Sequence, residues 1–112
     1  MNKEKTPTYF EDVFAVTRLI PVGRVTTYGA IANYLDLGSA RMVGWALNKS
    51  GGVHPLVPAH RVVNRKGELS GRNFFATPTM MQELLESEGF VIQNDTIQNF
   101  KERLWNPSIE LA

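Results

Sequence analysis

The chain has 112 residues, 43% of them hydrophobic, and a formal net charge of +1. That length suits one domain with one modest core, spanning residues 1–112, and that composition excludes a disordered chain. There is no cysteine, which excludes disulfides, thiolate metal sites and every thiol nucleophile, and the two histidines, His54 and His60, stand at no metal-binding spacing, so no metal or other cofactor is expected.

Residues 1–5 carry charges of both signs and lack the apolar stretch of a signal peptide. No apolar run approaches the roughly 18 residues of a membrane span, so a cytoplasmic protein without a membrane partner is expected. Thr8-Tyr9-Phe10-Glu11 has the form of a capping box, and Phe10, Val13, Phe14, Val16, Leu19 and Ile20 recur at helical spacing. They predict a first helix that packs by one face and is stopped by Pro21-Val22-Gly23. Thr27 can cap a second short helix, Tyr28 to Leu35, with Ile31, Ala32 and Leu35 inward. After Gly38, Ser39 can cap a third, Ala40 to Asn48, with Met42, Val43, Ala46 and Leu47 as inward candidates. Arg41, Gly44, Trp45 and Asn48 fall elsewhere on its wheel. Two short helices joined by a few residues with a glycine fit a helix-turn-helix.

Ser50-Gly51-Gly52 opens a loop that passes His54, read as a plain loop histidine, and reaches Pro58. Arg61-Val62-Val63 reads as a short strand and Asn64-Arg65-Lys66-Gly67 as a turn, with Gly67 supplying a positive φ. Glu68-Leu69-Ser70 is the candidate returning strand. The predicted fold class is therefore mainly α with a small β-hairpin, a winged helix-turn-helix-like domain. Thr77-Pro78 starts a fourth helix with proline at its first position, carrying Met81, Leu84 and Leu85 and ending at Gly89. Phe90 to Gln93 reads as extended, and Asn99 to Trp105 as one last turn before Pro107.

The small net charge hides an asymmetry. Residues 41–72 carry six basic side chains (Arg41, Lys49, Arg61, Arg65, Lys66, Arg72) and one acid, Glu68, whereas residues 73–112 carry two basic and six acidic ones. Such a block reads as an anion-facing surface, with nucleic acid the leading candidate and an ordinary solvated face the alternative.

Four segments make the reading specific. They are Pro21-Val22-Gly23-Arg24-Val25-Thr26-Thr27-Tyr28-Gly29, Ala40-Arg41-Met42-Val43-Gly44, Pro58-Ala59-His60-Arg61-Val62-Val63 and Leu84-Leu85-Glu86-Ser87-Glu88-Gly89. Their order and spacing resemble the DNA-binding domain of the O6-alkylguanine-DNA alkyltransferases over roughly residues 8–107. In that family the third segment reads Pro-Cys-His-Arg-Val, and its cysteine accepts the alkyl group. Ala59 stands in that place here, which points to the alkyltransferase-like proteins, whose members keep the binding fold and transfer nothing. A methyl carbon on guanine O6 needs a soft nucleophile, and alanine offers none.

The resemblance implies roles for the remaining residues. Arg41 matches the arginine finger that fills the stack vacated by a flipped nucleotide, and Tyr28 the tyrosine that crowds the neighbouring phosphate. Ser70 matches a pocket serine, and Arg72 an arginine that lies over the alkylated edge of the base; with Ala59 these form the expected lesion site. Thr27, Ala40, Gly44, Lys49 and Arg61 are candidate DNA contacts, with Ala40 and Gly44 small enough to let the helix lie close in the minor groove. His60 and Glu88 look like the pair that activates the thiol in the enzymes; here they have nothing to activate and are expected to be a buried structural pair. The implied function is non-catalytic recognition of O6-alkylguanine in duplex DNA by a monomer that flags the lesion for nucleotide excision repair proteins. The rival is a winged-helix transcription regulator, which would need base-reading side chains along the outer face of the third helix, where Gly44 stands. A hydrolase built on Ser70 and His60 lacks a nucleophile elbow and an Asp partner pattern.

Overall fold

In the computed structural model, which describes residues 7–49 and 57–112, the first helix, α1, spans Thr8–Arg18 and buries Phe10, Val13, Val16 and Thr17. Its N-cap is Pro7, and no side chain caps it. The capping box expected at Thr8-Tyr9-Phe10-Glu11 does not form, because Thr8 already lies inside the helix. A two-residue strand, β1 (Thr26–Thr27), leads straight into α2 (Tyr28–Tyr34). Thr27 is extended and its hydroxyl accepts the Ala30 N–H at 3.0 Å, the cap expected from the sequence. The helix ends in a Schellman closure, with Asp36 N–H to Asn33 C=O at 3.2 Å and Leu37 N–H to Ala32 C=O at 2.9 Å. Its left-handed residue is Asp36, φ 57, rather than the glycine at 38; a short polar side chain tolerates that conformation. Helix α3 (Ala40–Lys49) packs on both α1 and α2 and buries Val43, Ala46 and Leu47, completing the helix-turn-helix.

The expected loop from Ser50 through His54 and Pro55 lies outside the described residues up to Val57. A 3-10 turn, Ala59–Arg61, then enters β2 (Val62–Val63). The predicted hairpin of 61–63 with 68–70 is not what forms. Strand β2 pairs in parallel with β1, Thr26 with Val62 and Thr27 with Val63. Both valines are fully buried, which suits a strand covered on two faces. The basic turn closes locally, Asn64 N–H to Glu68 C=O at 3.2 Å, and Glu68 bridges antiparallel to Thr96. Among the described residues a hairpin forms later, between β3 (Ile92–Gln93) and β4 (Thr96–Ile97). Asn94 and Asp95, at φ 52 and 57, form the turn with two left-handed residues that such two-residue hairpins require.

Helix α4 (Met80–Ser87) begins two residues after Pro78, so proline does not hold its first position. It ends as expected at Gly89, φ 93, with Phe90 N–H closing on Leu85 C=O at 3.2 Å. The last turn is α5 (Phe100–Arg103), and Pro107 starts one more helical turn, α6 (Pro107–Glu110), rather than stopping the chain's regular structure. The fold class is mainly helical with small sheets, as the sequence predicts. Two apolar cores hold it. Val62 belongs to the one under α1, α2 and α3, and its neighbour Val63 to the one with Leu69, Met81, Leu85, Phe90 and Ile97. Successive strand residues point to opposite faces, so the β1–β2 ladder is the partition between the cores. That partition fixes the loop after β2 beside the outer face of α3.

Candidate nucleic-acid interface

Helix α3 buries Val43, Ala46 and Leu47, which leaves Arg41, Gly44, Trp45 and Asn48 on its other side at helical spacing. These four face a recess of about 450 Å³ whose other walls are Tyr28 and Ala40 on one side and Ser70, Gly71 and Phe74 on the other. Among the described residues, two recesses adjoin it. One, of about 370 Å³, shares Tyr28 and Ala40 and is bounded by Thr27 and by Arg65 and Lys66 of the basic turn. The other, of about 380 Å³, shares Trp45, Asn48 and Phe74 and is bounded by Phe10 and Lys49. Together they form a trough along α3. The expected contacts Thr27, Ala40, Gly44 and Lys49 all line it, as do Tyr28, Arg41 and Ser70.

Tyr28 is half-buried at the centre of the trough. Burial raises its phenol pKa, and a hydrogen bond with the Ser70 side chain offsets that only in part, so the hydroxyl stays neutral at physiological pH. A Cβ at position 71 would come within 2.7 Å of this hydroxyl, so Gly71 is what leaves Tyr28 its seat.

The six cations of the basic block divide. Arg41, Lys49, Arg65 and Lys66 are exposed, and none makes an ion pair among the described residues. All four line the trough. Arg61, expected as a DNA contact, is turned inward. Its Nε donates to both Glu88 oxygens at 3.1 and 3.0 Å, and its Nη1 to the Ile20 carbonyl at 2.9 Å. The expectation counted its charge without its partner 27 residues away. Arg72, expected over the lesion, sits in a 3-10 turn (Arg72–Phe74), donates to Leu69 C=O at 3.3 Å and lies 3.7 Å from Asp95. It lines none of the three recesses. That ion pair is half-exposed and weak, so the side chain is free to exchange it for another anion.

His60 and Glu88 are together, as expected: His60 Nε2 and Glu88 Oε2 are 2.7 Å apart. The Gly23 N–H also donates to Glu88, at 2.9 Å. Burial raises the Glu88 pKa, but Arg61, the Gly23 amide and His60 outweigh it and hold the carboxyl below its ordinary value. Burial lowers the His60 pKa, and Glu88 recovers only part of that. A neutral imidazole beside a carboxylate donates its Nε2–H to it. The network ties Gly23, the 3-10 turn before β2 and the end of α4 into one knot. Ala59 beside it is 7% exposed, packs in the first core and lines none of the three recesses.

Trp45, Asn48, Gly71 and Phe74 are trough residues that the sequence reading leaves without a role. Trp45 stands four residues after Arg41, a spacing that already puts both on one helix face. Phe74 has no such signal, because a loop places it. Gly44 allows a sharp test. A Cβ there meets nothing within 4 Å, so Gly44→Ala should raise unfolding stability by about 1 kcal/mol through helix propensity alone. If the backbone of α3 lies against DNA, the same change should weaken DNA binding; thermal melts and binding titrations on one variant check both.

Fold and trough define a class of protein: a helix-turn-helix domain with a cationic outer face on its second helix and a ligand-sized recess beside it. The family model of the 6-O-methylguanine DNA methyltransferase DNA-binding domain matches residues 8–90. The chain is 36% identical over 106 residues to alkyltransferase-like protein 1 of Schizosaccharomyces pombe, covering 88% of this chain and 95% of that protein. It is 33% identical over 102 residues to a DNA base-flipping protein of Vibrio parahaemolyticus, covering 88% and 97%. Among solved structures, S. pombe Atl1 in complex with damaged DNA containing O6-carboxymethylguanine matches with a TM-score of 0.78 at 33% identity, over 93% of this chain and 100% of that one. The chain belongs to the family of that methyltransferase DNA-binding domain, and within it to the alkyltransferase-like proteins, with Ala59 where the acceptor cysteine would stand.

Proposed function

We propose that the protein recognises O6-alkylguanine in duplex DNA without transferring the alkyl group. It approaches through the minor groove, turns the damaged nucleotide into the recess beside Tyr28 and Arg41, and flags it for nucleotide excision repair as a cytoplasmic monomer. The observation that carries this is the trough itself: two exposed cations on a helix face that is small at Ala40 and Gly44, Arg41 and Lys49, and two more on the turn beside it, Arg65 and Lys66, around a recess of about 450 Å³. Phosphates need the cations, and close approach of a helix backbone needs the small residues. An extruded base needs a pocket; this one falls within the roughly 300–1,000 Å³ of small-ligand sites. Relatives described as base-flipping and solved with adducted DNA support the same reading. Alkyl transfer to a thiol is closed to a chain without cysteine.

Gel-shift titration of matched duplexes carrying guanine or O6-methylguanine, followed by analysis of the recovered base, tests it. A sensor prefers the lesion and returns it intact. A transcription regulator ignores it, and an enzyme consumes it. If the four exposed cations each meet a phosphate, log affinity against log salt should fall with a slope of about −3.6, and a slope near zero would remove the case for a phosphate-tracking surface.

A further inference from the structure

We infer that Trp45 is a second minor-groove contact, one helical turn beyond Arg41, whose indole enters the groove edge-on beside the extruded nucleotide and favours A·T pairs there. This rests on the DNA-binding reading above and adds a residue that reads the flanking base pairs. Helix α3 turns by about 100° per residue, and its buried residues Val43, Ala46 and Leu47 define one direction. Arg41 and Trp45 each lie within about 30° of the opposite direction, so they protrude furthest from the core. Trp45 is 53% exposed, and no hydrogen bond to its indole N–H is made among the described residues. Lys49 follows four residues later, so cation, aromatic and cation run along α3 in one row. Ala40 and Gly44 lie to one side of that row, so close approach of the backbone there leaves the indole room on the other.

The dimensions of DNA favour this occupant. A minor groove about 6 Å wide is too narrow for a helix, whose diameter with side chains is about 10–12 Å. The helix rests at the groove's mouth, and only its most protruding side chains reach the base edges. A flat ring fits that width edge-on. Four residues advance the helix by about 6 Å, close to two base-pair steps of about 3.4 Å, so Trp45 meets pairs next to the position that Arg41 fills. Every A·T pair offers only acceptors in the minor groove, adenine N3 and thymine O2, whereas guanine adds its 2-amino donor. A donor-only indole N–H matches the first and meets the second head-on. Trp45 and Phe74 stand at the passage from the recess of about 450 Å³ to the one of about 380 Å³, whose further walls are Phe10 and Lys49. An apolar hollow with a lysine at its wall suits a deoxyribose and its phosphate, which carries the cationic trough on past Trp45.

The test is a set of binding titrations of the full chain and of Trp45→Ala with duplexes carrying O6-methylguanine or guanine at one position. The two pairs on either side are all A·T, all G·C, or all I·C, where inosine lacks guanine's 2-amino group and keeps its major-groove edge. The parent should bind the A·T and I·C flanks about threefold to fivefold more tightly than the G·C flank. Trp45→Ala should bind about tenfold more weakly on A·T flanks, the scale of one aromatic contact with nucleic acid, and should lose most of the flank preference. Its salt slope should match the parent's, because an uncharged contact releases no counterions. The side chain is half-exposed, so its melting temperature should be nearly unchanged. Fluorescence gives a second readout: Trp105 is 4% exposed, so acrylamide quenching of the free protein reports Trp45, and DNA should suppress it. A flank preference that survives in Trp45→Ala would overturn the proposal, since softer A·T and I·C pairs would then explain it. So would a variant that binds as tightly as the parent, or an indole that stays open to acrylamide in the complex. A parent that does not separate O6-methylguanine from guanine defeats the lesion reading alone, because the guanine duplexes still score the flanks.

Discussion

Glu88→Ala should destabilise the protein by about 3–5 kcal/mol, because it leaves a nearly buried guanidinium without its counter-charge. Arg61 and Glu88 side chains are only 15% and 9% exposed and lie 2.9 Å apart. Donors from two distant segments converge on that carboxylate: the Gly23 N–H, and the neighbours His60 and Arg61. Removing it therefore orphans all of them at once, where losing one neutral hydrogen bond would cost about 1 kcal/mol. Denaturant titration reads the loss as a lower midpoint at unchanged slope. The double variant Arg61→Met/Glu88→Leu should recover part of it, since removing both charges removes the desolvation penalty too. A loss under about 1 kcal/mol for Glu88→Ala would mean that water reaches Arg61 freely.

The same knot sets the pH dependence. The folded-state pKa values of Glu88 and His60 both lie below the ordinary 4.5 and 6.5. In each case the unfolded chain takes up its proton at higher pH than the folded protein does, so acid favours unfolding. Stability should be full above the ordinary histidine value of 6.5, decline as pH drops below it, and decline further below 4.5 as Glu88 is titrated. Melting temperatures measured from about pH 8 to about pH 4 should show both stages, and Glu88→Ala should lose the lower one.

Arg41→Ala should weaken binding to lesion-bearing DNA by about 1–3 kcal/mol, or roughly 5- to 150-fold, with little change in unfolding stability. Arg41 is exposed in the first turn of α3, and no hydrogen bond or ion pair to it is made among the described residues. A cation at a helix N-terminus opposes the helix dipole, so its removal should if anything stabilise α3 by about 0.3–1 kcal/mol. A residue that does nothing for the fold, faces a ligand-sized recess and carries a five-donor planar group is suited to fill a gap in a base stack. Arg41→Lys keeps the charge and loses the fork; it should preserve the salt slope and still lose much of the lesion preference. A variant that binds as tightly as the parent would refute the finger assignment.

Local signals carry most of the helical architecture. Thr27, Gly89 and the apolar spacing of α1, α2 and α3 act within a few residues of themselves, so their outcome can be read from neighbours in the chain. The Thr8 box fails because Pro7 holds the N-cap position and Thr8 is already the first helical residue. The hairpin of 61–70 is misread for a different reason. Val62 and Val63 have a strand's composition, but which strand they pair with depends on Thr26 and Thr27, some 36 residues earlier.

By itself the sequence determined that thiol chemistry is unavailable, that positive charge concentrates in residues 41–72, and that Arg41 and Gly44 stand off the apolar stripe of one helix. Those properties follow from residue identity and from the 3.6-residue period. Only the tertiary structure decided which cations face outward. Arg61 is drawn in by Glu88 and the Ile20 carbonyl and Arg72 is held toward Asp95, while Arg41, Lys49, Arg65 and Lys66 are exposed and make no ion pair among the described residues. It also decided that Phe74 and Trp45 stand at one passage, and that Tyr28 seats against Gly71. A charged or aromatic side chain takes the direction in which its burial and its partners balance, and those partners come from segments that only the folded chain brings together.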